Sequence, residues 1–327
     1  MCVFREPCQG RQSIGGGTTP GTKEQYRQLC ETEGDSIPLF QQYWWMETVC
    51  AGKHWDVLLD NKLGRWTGAM PFLYGRKLGL KYILQPQLTP WSGPWLHPSL
   101  DATGRQATLS AFSASLRRQQ AVLCMQCFPP TETDCLAFIQ QRFRQTTRYT
   151  YRFDPLPEPQ ALRGLATKER RKGIESVEEA YTVDRAVGVE EFADFHIEYW
   201  ERRSGRDLLS RDFIQRVCAT AIERGQGLLY GLRDDGGALM AARFVVYDSR
   251  CAYSLLSAIH SEALRNSMTL LIWILLADLH GRTQAFDFEG GMNDGIGHFY
   301  RSFGTRQIPY LCIYRSKIPF LEKKLFR

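Results

Sequence analysis

Two carboxylic acids and a tyrosine near the C-terminus are the residue types that could carry acid–base chemistry. Asp287 and Glu289 alternate with phenylalanines in AFDFEGG, and Tyr300 follows in GIGHFYRSFG. Alternate residues of a strand share a face, so the two carboxylates should lie together, each disfavouring ionisation of the other. One could act as a general base and Tyr300 as a proton donor. The alternatives are a carboxylate that caps the next helix or pairs with an arginine such as Arg243, and a tyrosine buried in a hydrogen bond.

A second candidate is the polar turn HSEALRNS between an apolar strand and a long apolar helix. Unpaired amide groups and the helix dipole favour an anion at such a helix N-terminus. Arg265 could pair with a phosphate, and Asn266 or Ser267 could cap the helix. We therefore take His260, Arg265, Asn266 and Ser267 as candidate cofactor contacts. The alternative is an ordinary capped helix, because the turn has no glycine to bring a ligand close to the backbone.

A third candidate is the basic sequence TKERRKGI, predicted to be helical. Lys168 and Arg170 are its candidate contacts for an anionic substrate, and Trp200 on the helix predicted over Val189–Ser204 is a further substrate candidate. The alternative is a solvated helix face, because successive charges spread around a helix.

Several other chemistries lack a signature in the sequence. The six histidines show no metal-ligand spacing, and no Ser/His/Asp signature, phosphate-binding P-loop or Rossmann glycine pattern occurs. The single CxxC, Cys124 to Cys127, lies in a predicted strand, where its two thiols would point to opposite faces. We therefore predict buried thiols rather than a zinc or redox site, and no bound metal.

The elements that must position these residues form one contiguous unit, from Cys251 to Gly304. CAYSLLSAI is apolar almost throughout, as a strand covered on both faces would be. Met268–His280 has helical length and is apolar all round, which predicts a core helix with Gly281 as its C-cap. The acidic strand and a last helix over Gly295–Gly304 follow.

The rest of the chain contains further strands and helices. After a loose tail and a short helix over Lys23–Gly34, the pattern predicts an aromatic helix (Phe40–Cys50) and a strand meander. Helices are predicted over Ala107–Gln120 and Glu132–Gln145, and a strand over Arg148–Phe153. DPLPEP then marks a boundary, followed by a charged helix over Gln160–Ala180 and a second meander.

The two halves resemble each other. CMQCFPPTETDCLAFIQQRFRQTTRYTYRF aligns with FDFEGGMNDGIGHFYRSFGTRQIPYLCIYR, placing Phe128 on Phe288 and Phe143 on Phe303 at a constant offset. Two copies of one αβ module explain this pattern, and chance similarity of two α/β segments is the alternative.

Composition sets the broad class. The 327 residues, 43% of them hydrophobic, suffice for about two domains, and the net charge of +6 permits a phosphorylated partner without requiring nucleic acid. The sequence has neither an apolar signal segment nor a run of about 18 apolar residues. We therefore expect a cytoplasmic protein without a membrane span, with its cysteines reduced.

FDFEGGMNDGIGHFYRSFG and TKERRKGI resemble the FemAB-like branch of the GNAT acyltransferases, which includes CelD-like acetyltransferase domains. The resemblance runs from about Ser36 to Tyr314. It implies an α/β (α+β) fold of two tandem GNAT-like modules, each a mixed, mostly antiparallel sheet flanked by helices. We divide the chain into a flexible tail and short helix (1–35), a first module (36–154) and a second module (155–327).

The resemblance also implies a reaction, transfer of an acyl group from acyl-CoA to an amine or hydroxyl. The donor would lie between two splayed strands with its phosphates at His260–Ser267. Glu289 or Asp287 would act as base, Tyr300 as acid, and Arg170 would contact an anionic acceptor. The chain departs from the family in lacking the glycines usually found before the long helix. Two alternatives stay open, an aminoacyl-tRNA-dependent transferase acting on a cell-wall precursor and a non-catalytic ligand- or partner-binding protein.

Overall fold

A computed structural model describes residues 22–204 and 209–318, which form two compact units. Unit 1 contains residues 22–148 and 310–318, and unit 2 is Tyr149–Pro309. The sequence division assigned all of 155–327 to the second module, whereas residues 310–318 belong to unit 1. The predicted loose tail, which extends to about residue 21, lies outside the described residues.

Unit 1 begins with two helices that cover the start of its sheet. They are α1 (Thr22–Glu33) and α2 (Tyr43–Val49). Its further elements are β1 (His54–Lys62), β2 (Arg65–Lys77), β3 (Leu80–Leu84), β4 (Trp95–Leu96), α3 (Ala102–Arg118), β5 (Leu123–Cys127), α4 (Leu136–Gln140) and the first residues of β6 (Arg144–Phe153).

The sheet of unit 1 is an antiparallel meander extended by a parallel strand. β1 pairs with β2 and β2 with β3, both antiparallel, and β3 runs parallel to β5. β5 also pairs antiparallel with the end of the last strand of the chain, β12 (Arg306–Ser316), with Cys312 opposite Cys127. This pairing is why the residues after Tyr310 belong to unit 1.

Unit 2 contains most of the remaining elements. They are α5 (Pro159–Leu165), α6 (Lys168–Glu175), β7 (Thr182–Asp184), α7 (Val189–Ser204), α8 (Arg211–Glu223), β8 (Gly227–Arg233), β9 (Leu239–Tyr247), β10 (Cys251–Ile259), α9 (Ser267–Leu279), β11 (Ala285–Asp287) and α10 (Asp294–Arg301). β7 to β10 form an antiparallel meander, β10 runs parallel to β11, and β11 pairs antiparallel with the end of β6.

The two units repeat one order of elements. Each has a meander, a helix (α3 or α9), a parallel strand (β5 or β11), a short helix and a long last strand. Phe128 and Phe288 both follow the parallel strand directly, and Phe143 and Phe303 both lie in the connection before the last strand; all four are buried. The last strand of each repeat crosses to pair with the other repeat's parallel strand.

α9 is the central helix of the core of unit 2. Its Leu271, Leu275 and Leu276 are fully buried against residues of the sheet such as Val245 and Phe286. Burial of each such side chain contributes about 2 kcal/mol, so this apolar helix fixes the strands on which it packs. It has 13 residues, and no helix among the described residues is long and apolar enough to cross a bilayer.

Three predicted elements differ from the structure. The charged helix breaks at Ala166, whose backbone is extended, and restarts after Thr167, whose hydroxyl oxygen caps α6. The helix predicted over Glu132–Gln145 shortens to α4. It begins where Asp134 accepts the amide of Leu136 and ends before Arg142, which has a positive φ. The acidic strand ends at Asp287, a difference that bears directly on the candidate site.

Candidate active site

The parallel strands β10 and β11 separate soon after they meet. Cys251–Tyr253 pair with β11, but β10 continues to Ile259. On the β9 side, the register of β10 shifts between Ser254 and Leu256. On the other side, the chain turns away after Asp287 through Glu289, Gly290 and Gly291, all with positive φ. The predicted pair of splayed central strands is therefore present in unit 2.

Asp287 is a buried carboxylate rather than an open general base. Its side chain is 0% exposed, and its Oδ1 accepts hydrogen bonds from the Thr150 hydroxyl and, at 2.8 Å, from the amide of Glu289. Its Oδ2 lies 3.4 Å from Nε of Arg152, the residue opposite it on β6. Burial raises the pKa of Asp287 to about 6, although Arg152 and the two hydrogen bonds lower it. The arginine partner is Arg152, not Arg243.

Glu289 does not share a strand face with Asp287, as the sequence pattern had suggested. The strand has already ended, and Glu289 is in the left-handed conformation with φ of +54°. A non-glycine residue in this region is strained, and such strain concentrates at functional sites. Glu289 is half-buried, whereas Asp287 is fully buried, so of the two carboxylates Glu289 is the one partly open to solvent.

Tyr300 lies on α10 within an aromatic cluster. Its ring is 4.6 Å from that of Phe288 and 6.0 Å from that of Tyr151. Burial raises the pKa of Tyr300, and the guanidinium of Arg243 opposes this increase. Glu289 and Asp287 are both close enough to influence the same pKa. The three predicted acid–base residues are thus brought together, although only Glu289 and Tyr300 are partly exposed.

Asn293 begins the helix that holds Tyr300. Its side-chain oxygen accepts the amides of Gly295 at 3.0 Å and Ile296 at 3.4 Å, so Asn293 is the N-cap of α10. Gly291 and Gly297 lie so close to Tyr151 that a Cβ at either would be 2.5–2.7 Å from its ring or hydroxyl. These glycines allow the turn and α10 to pack directly on β6.

The turn before α9 is held from within the protein. The hydroxyl of Tyr181 accepts the amide of Leu264 at 2.7 Å and lies 3.0 Å from the hydroxyl of Ser267. Ser267 is fully buried and also bonds the carbonyl of Leu264, so its side chain anchors the turn. Asn266 has φ of +82°, makes no side-chain cap and packs its amide against Gly173 of α6.

The other two residues predicted to contact a cofactor, Arg265 and His260, differ in how far their side chains are exposed to solvent. The side chain of Arg265 is 88% exposed and lies 4.0 Å from the equally exposed Glu169. His260 is half-buried, and its Nδ1 accepts the amide of Glu262 at 3.2 Å. From α7, Arg202 donates to the hydroxyl of Ser261 at 2.9 Å and so adds a further cation beside the turn.

Arg170 connects the basic helix α6 to the first turn of α9. Its Nη1 donates to the hydroxyl of Thr269 at 2.8 Å and its Nε to that of Ser302 at 2.9 Å. The guanidinium also lies over the ring of Phe299, 4.6 Å from its centre. Arg170 is half-buried, and no carboxylate of the described residues forms an ion pair with it.

The other two substrate candidates have different surroundings. Lys168 is exposed on the first turn of α6. Trp200, on α7, donates its indole N–H to Nε2 of His196 at 3.1 Å, and its ring contacts are with His196 and Tyr199. Burial lowers the pKa of His196 to about 4, so this imidazole is neutral and accepts that bond. The structure therefore brings Arg170 to the first turn of α9, whereas Trp200 makes this hydrogen bond and these ring contacts within α7.

The corresponding region of unit 1 is closed by its own chain. β3 and β5 also pair briefly, and beyond that pairing the amides of Ser92 and Gly93 bond the carbonyl of Cys127. Ser92 further bonds Gln126, and both side chains are fully buried. At the offset that relates Phe128 to Phe288, unit 1 has Pro129 for Glu289 and Gln140 for Tyr300.

Comparisons with known proteins agree with this geometry. The family model described as Acetyltransferase (GNAT) domain matches residues 160–298, which lie within unit 2 and include the separating strands, the turn and α9. Residues 160–298 therefore form a GNAT acetyltransferase domain, and GNAT-type acyl transfer is the class of reaction of such a domain. No curated protein sequence matches the chain.

Solved structures share the tandem fold. FemX covers 89% of this chain and 95% of its own, with a TM-score of 0.64 and 13% identity. A tandem GNAT protein from the clavulanic acid biosynthesis pathway covers 92% and 96%, with a TM-score of 0.56 and 13% identity. L-PGS from Bacillus licheniformis covers 96% and 97%, with a TM-score of 0.56 and 13% identity. The likeness to these three proteins is one of fold, at 13% identity in each case.

Proposed function

We propose that this protein transfers an acyl group from an acyl-CoA donor to an amine or hydroxyl acceptor, using unit 2 alone. The donor's phosphates would lie at the turn His260–Ser267 and the first turn of α9. Its thioester would lie between β10 and the segment after β11. The acceptor would be a small molecule or a cell-wall precursor, as the FemAB-like resemblance implies.

The position of the Arg170 guanidinium beside the first turn of α9 is the main observation that supports this proposal. A guanidinium beside a helix N-terminus faces the positive end of the helix dipole, which is unfavourable for a cation without an anion. Arg170 nevertheless bonds Thr269 in the first turn of α9. Burial lowers the pKa of Arg170, the carboxylate of Glu169 opposes this decrease, and the guanidinium of Arg265 adds to it, so two cations share one carboxylate beside this turn. An anionic ligand at this turn would balance these charges, and the phosphates of coenzyme A supply such an anion.

The acid–base groups support the same reaction. Glu289 would accept the proton of the attacking amine or hydroxyl, and Tyr300 would donate a proton to the leaving thiolate. The C–N or C–O bond forms as the C–S bond breaks, so one proton is taken up and one is released. Positioning of the donor carbonyl on the backbone of β10 would supply much of the rate.

Calorimetry with acetyl-CoA, a longer acyl-CoA and pantetheine tests the donor site. We expect acyl-CoA to bind and pantetheine, which lacks the nucleotide phosphates, to bind at least about tenfold more weakly. Arg170→Met should weaken acyl-CoA binding more than Arg170→Lys. Arg27→Met, on the solvent-facing side of α1 in unit 1, is the control. Equal affinity of acyl-CoA and pantetheine would contradict a phosphate site at this turn.

A thiol-release assay over a panel of amines and alcohols tests turnover. Release that requires the acceptor, and that falls about 100-fold in Glu289→Gln, would support the assigned base. No acyl-CoA binding, combined with a salt-sensitive requirement for aminoacyl-tRNA, would replace the donor with aminoacyl-tRNA. Acyl-CoA binding without turnover on any acceptor would instead favour a ligand-binding protein.

A further inference from the structure

Arg243, on β9, is a buried cation with no anionic partner in the part of the chain that the structure describes. Its side chain is 4% exposed, and it lies opposite Ser257 of β10. Its Nε donates to the hydroxyl of Ser254, and its Nη1 lies 3.3 Å from the sulfur of Met268. No carboxylate of the described residues forms an ion pair with it, whereas the other deeply placed arginine of this sheet, Arg152, faces Asp287.

This arrangement is costly for stability alone. Burial of an unpaired charge costs several kcal/mol, and an apolar side chain of similar size would pack at this position without that cost. Burial lowers the pKa of Arg243, and the phenol of Tyr300 opposes that decrease. A charge retained under these conditions is a candidate for a functional role.

The two residues that the side chain of Arg243 contacts, Ser254 and Met268, both belong to the candidate active site. Ser254 lies where the register of β10 shifts and where β11 ends its pairing. Met268 lies in the first turn of α9. Tyr300, the candidate acid on α10, is close enough to Arg243 for each to influence the pKa of the other. A cation at this point acts on the region where charge would develop during acyl transfer.

We propose that Arg243 is a positioning residue for acyl transfer, which holds the phenol of Tyr300 toward the donor thioester and stabilises the phenolate that proton donation leaves behind. The inference rests on the proposed function. As the acceptor attacks the carbonyl carbon and the C–S bond breaks, the phenol proton of Tyr300 passes to the thiolate sulfur. The proton of the acceptor passes to Glu289, and its return to the phenolate restores both groups.

Kinetics of Arg243→Met, Tyr300→Phe and the double variant test this role. Arg243→Met should lower kcat about tenfold or more, while the Kd for acyl-CoA changes less than about threefold. If Arg243 acts through Tyr300, the double variant should be no slower than Tyr300→Phe. Multiplicative effects of the two substitutions would overturn the proposal.

The pH dependence of kcat is a measurement that a purely structural role of Arg243 would not change. Arg243 lowers the pKa of Tyr300, so its removal should shift the alkaline limb of kcat to higher pH, and Arg243→Lys should shift it less. An unshifted limb would overturn the proposal. If Arg243→Met fails to fold, Ser254→Ala, which frees Nε of Arg243, should give a smaller shift in the same direction.

A measurement without any donor distinguishes failure of this inference from failure of the proposed function. Ultraviolet titration of tyrosinate, as the difference between each protein and its Tyr300→Phe partner, reports the pKa of Tyr300 without any donor. A Tyr300 pKa that is independent of Arg243 overturns the coupling. An intact coupling in a protein that binds no acyl-CoA overturns the catalytic role together with the proposed donor.

Discussion

The buried carboxylate of Asp287 accepts the backbone amide of Glu289 at 2.8 Å. This bond joins the end of β11 to the strained residue that follows, because Glu289 has φ of +54°. Thr150 on β6 donates to the same carboxylate oxygen, so the position of Glu289 depends on β6 as well as on β11. Asp287 therefore contributes to the candidate site by orienting Glu289 rather than by meeting a substrate.

Glu289→Gly and Glu289→Ala separate the backbone contribution of Glu289 from that of its carboxylate. Both lack the carboxylate, so both should lose turnover to a similar degree. Glycine tolerates positive φ and alanine does not, so we expect the glycine variant to be more stable by about 1 kcal/mol. Chemical denaturation measures the difference. An alanine variant as stable as the glycine variant would mean that this turn relaxes to an ordinary backbone conformation.

Asp287→Asn should change how stability depends on pH. Burial raises the pKa of Asp287 from 3.8 to about 6, so between these values the folded protein binds more protons than the unfolded chain. Its contribution to the free energy of unfolding is therefore full below about pH 4 and is lost as the pH rises through about 6. The wild type should lose stability relative to the asparagine variant over this interval in denaturation curves. A constant difference would contradict the raised pKa.

Tyr181→Phe should loosen the turn before α9. The substitution removes the hydroxyl that bonds the amide of Leu264 and the side chain of Ser267, at a cost of about 1 kcal/mol of stability. Donor affinity should fall several-fold in calorimetry, because the turn is no longer held for the phosphates. Tyr199→Phe is the control, since Tyr199 makes a ring contact with Trp200. Unchanged affinity in Tyr181→Phe would argue against donor phosphates at this turn.

Calorimetry should give one bound donor per chain. Unit 1 closes the corresponding region with Ser92 and Gly93 and lacks the carboxylate and tyrosine at the matching positions. Glu289→Gln and Tyr300→Phe should therefore each remove most turnover, with no residual activity from unit 1. A stoichiometry of two would show that unit 1 also accepts the donor.

Gly93→Ala tests how tightly that closure is packed. A Cβ at Gly93 would lie 2.4 Å from the ring of Phe128 and 2.8 Å from its Cα, so we expect a loss of about 1–3 kcal/mol in stability. Donor affinity should not change. Gly164→Ala is the matched control, because Gly164 lies in α5 with open space around its Cα, where alanine favours the helix. Equal stability of the two variants would contradict the tight packing.

Local patterns in the sequence predicted much of the fold. The apolar strand β10 and the apolar helix α9 are recognisable because their period and length identify them without tertiary information. Phe128, Phe143, Phe288 and Phe303 revealed the repeat because buried aromatic residues kept their spacing. The structure agrees with that repeat in the order of its elements.

Local sequence patterns did not predict the pairings between residues that are distant in the chain. Arg152 and Asp287 meet only because β6 pairs with β11, and no local pattern predicts that register. The alternation of Asp287 and Glu289 suggested one strand face, but two following glycines end the strand early. Arg243 was considered only as a partner for a carboxylate, although one arginine in a strand of nearly continuous apolar residues is a signal that sequence reasoning could have used.

The exchange of last strands has a practical consequence for dissecting the molecule. A polypeptide that stops at residue 154 would leave β5 without its antiparallel neighbour β12, and one that starts at residue 155 would leave β11 without β6. Each truncated half would then present an unpaired strand edge, which is prone to self-association. Separate expression of the halves should therefore yield aggregates, whereas their co-expression could restore both edges by complementation.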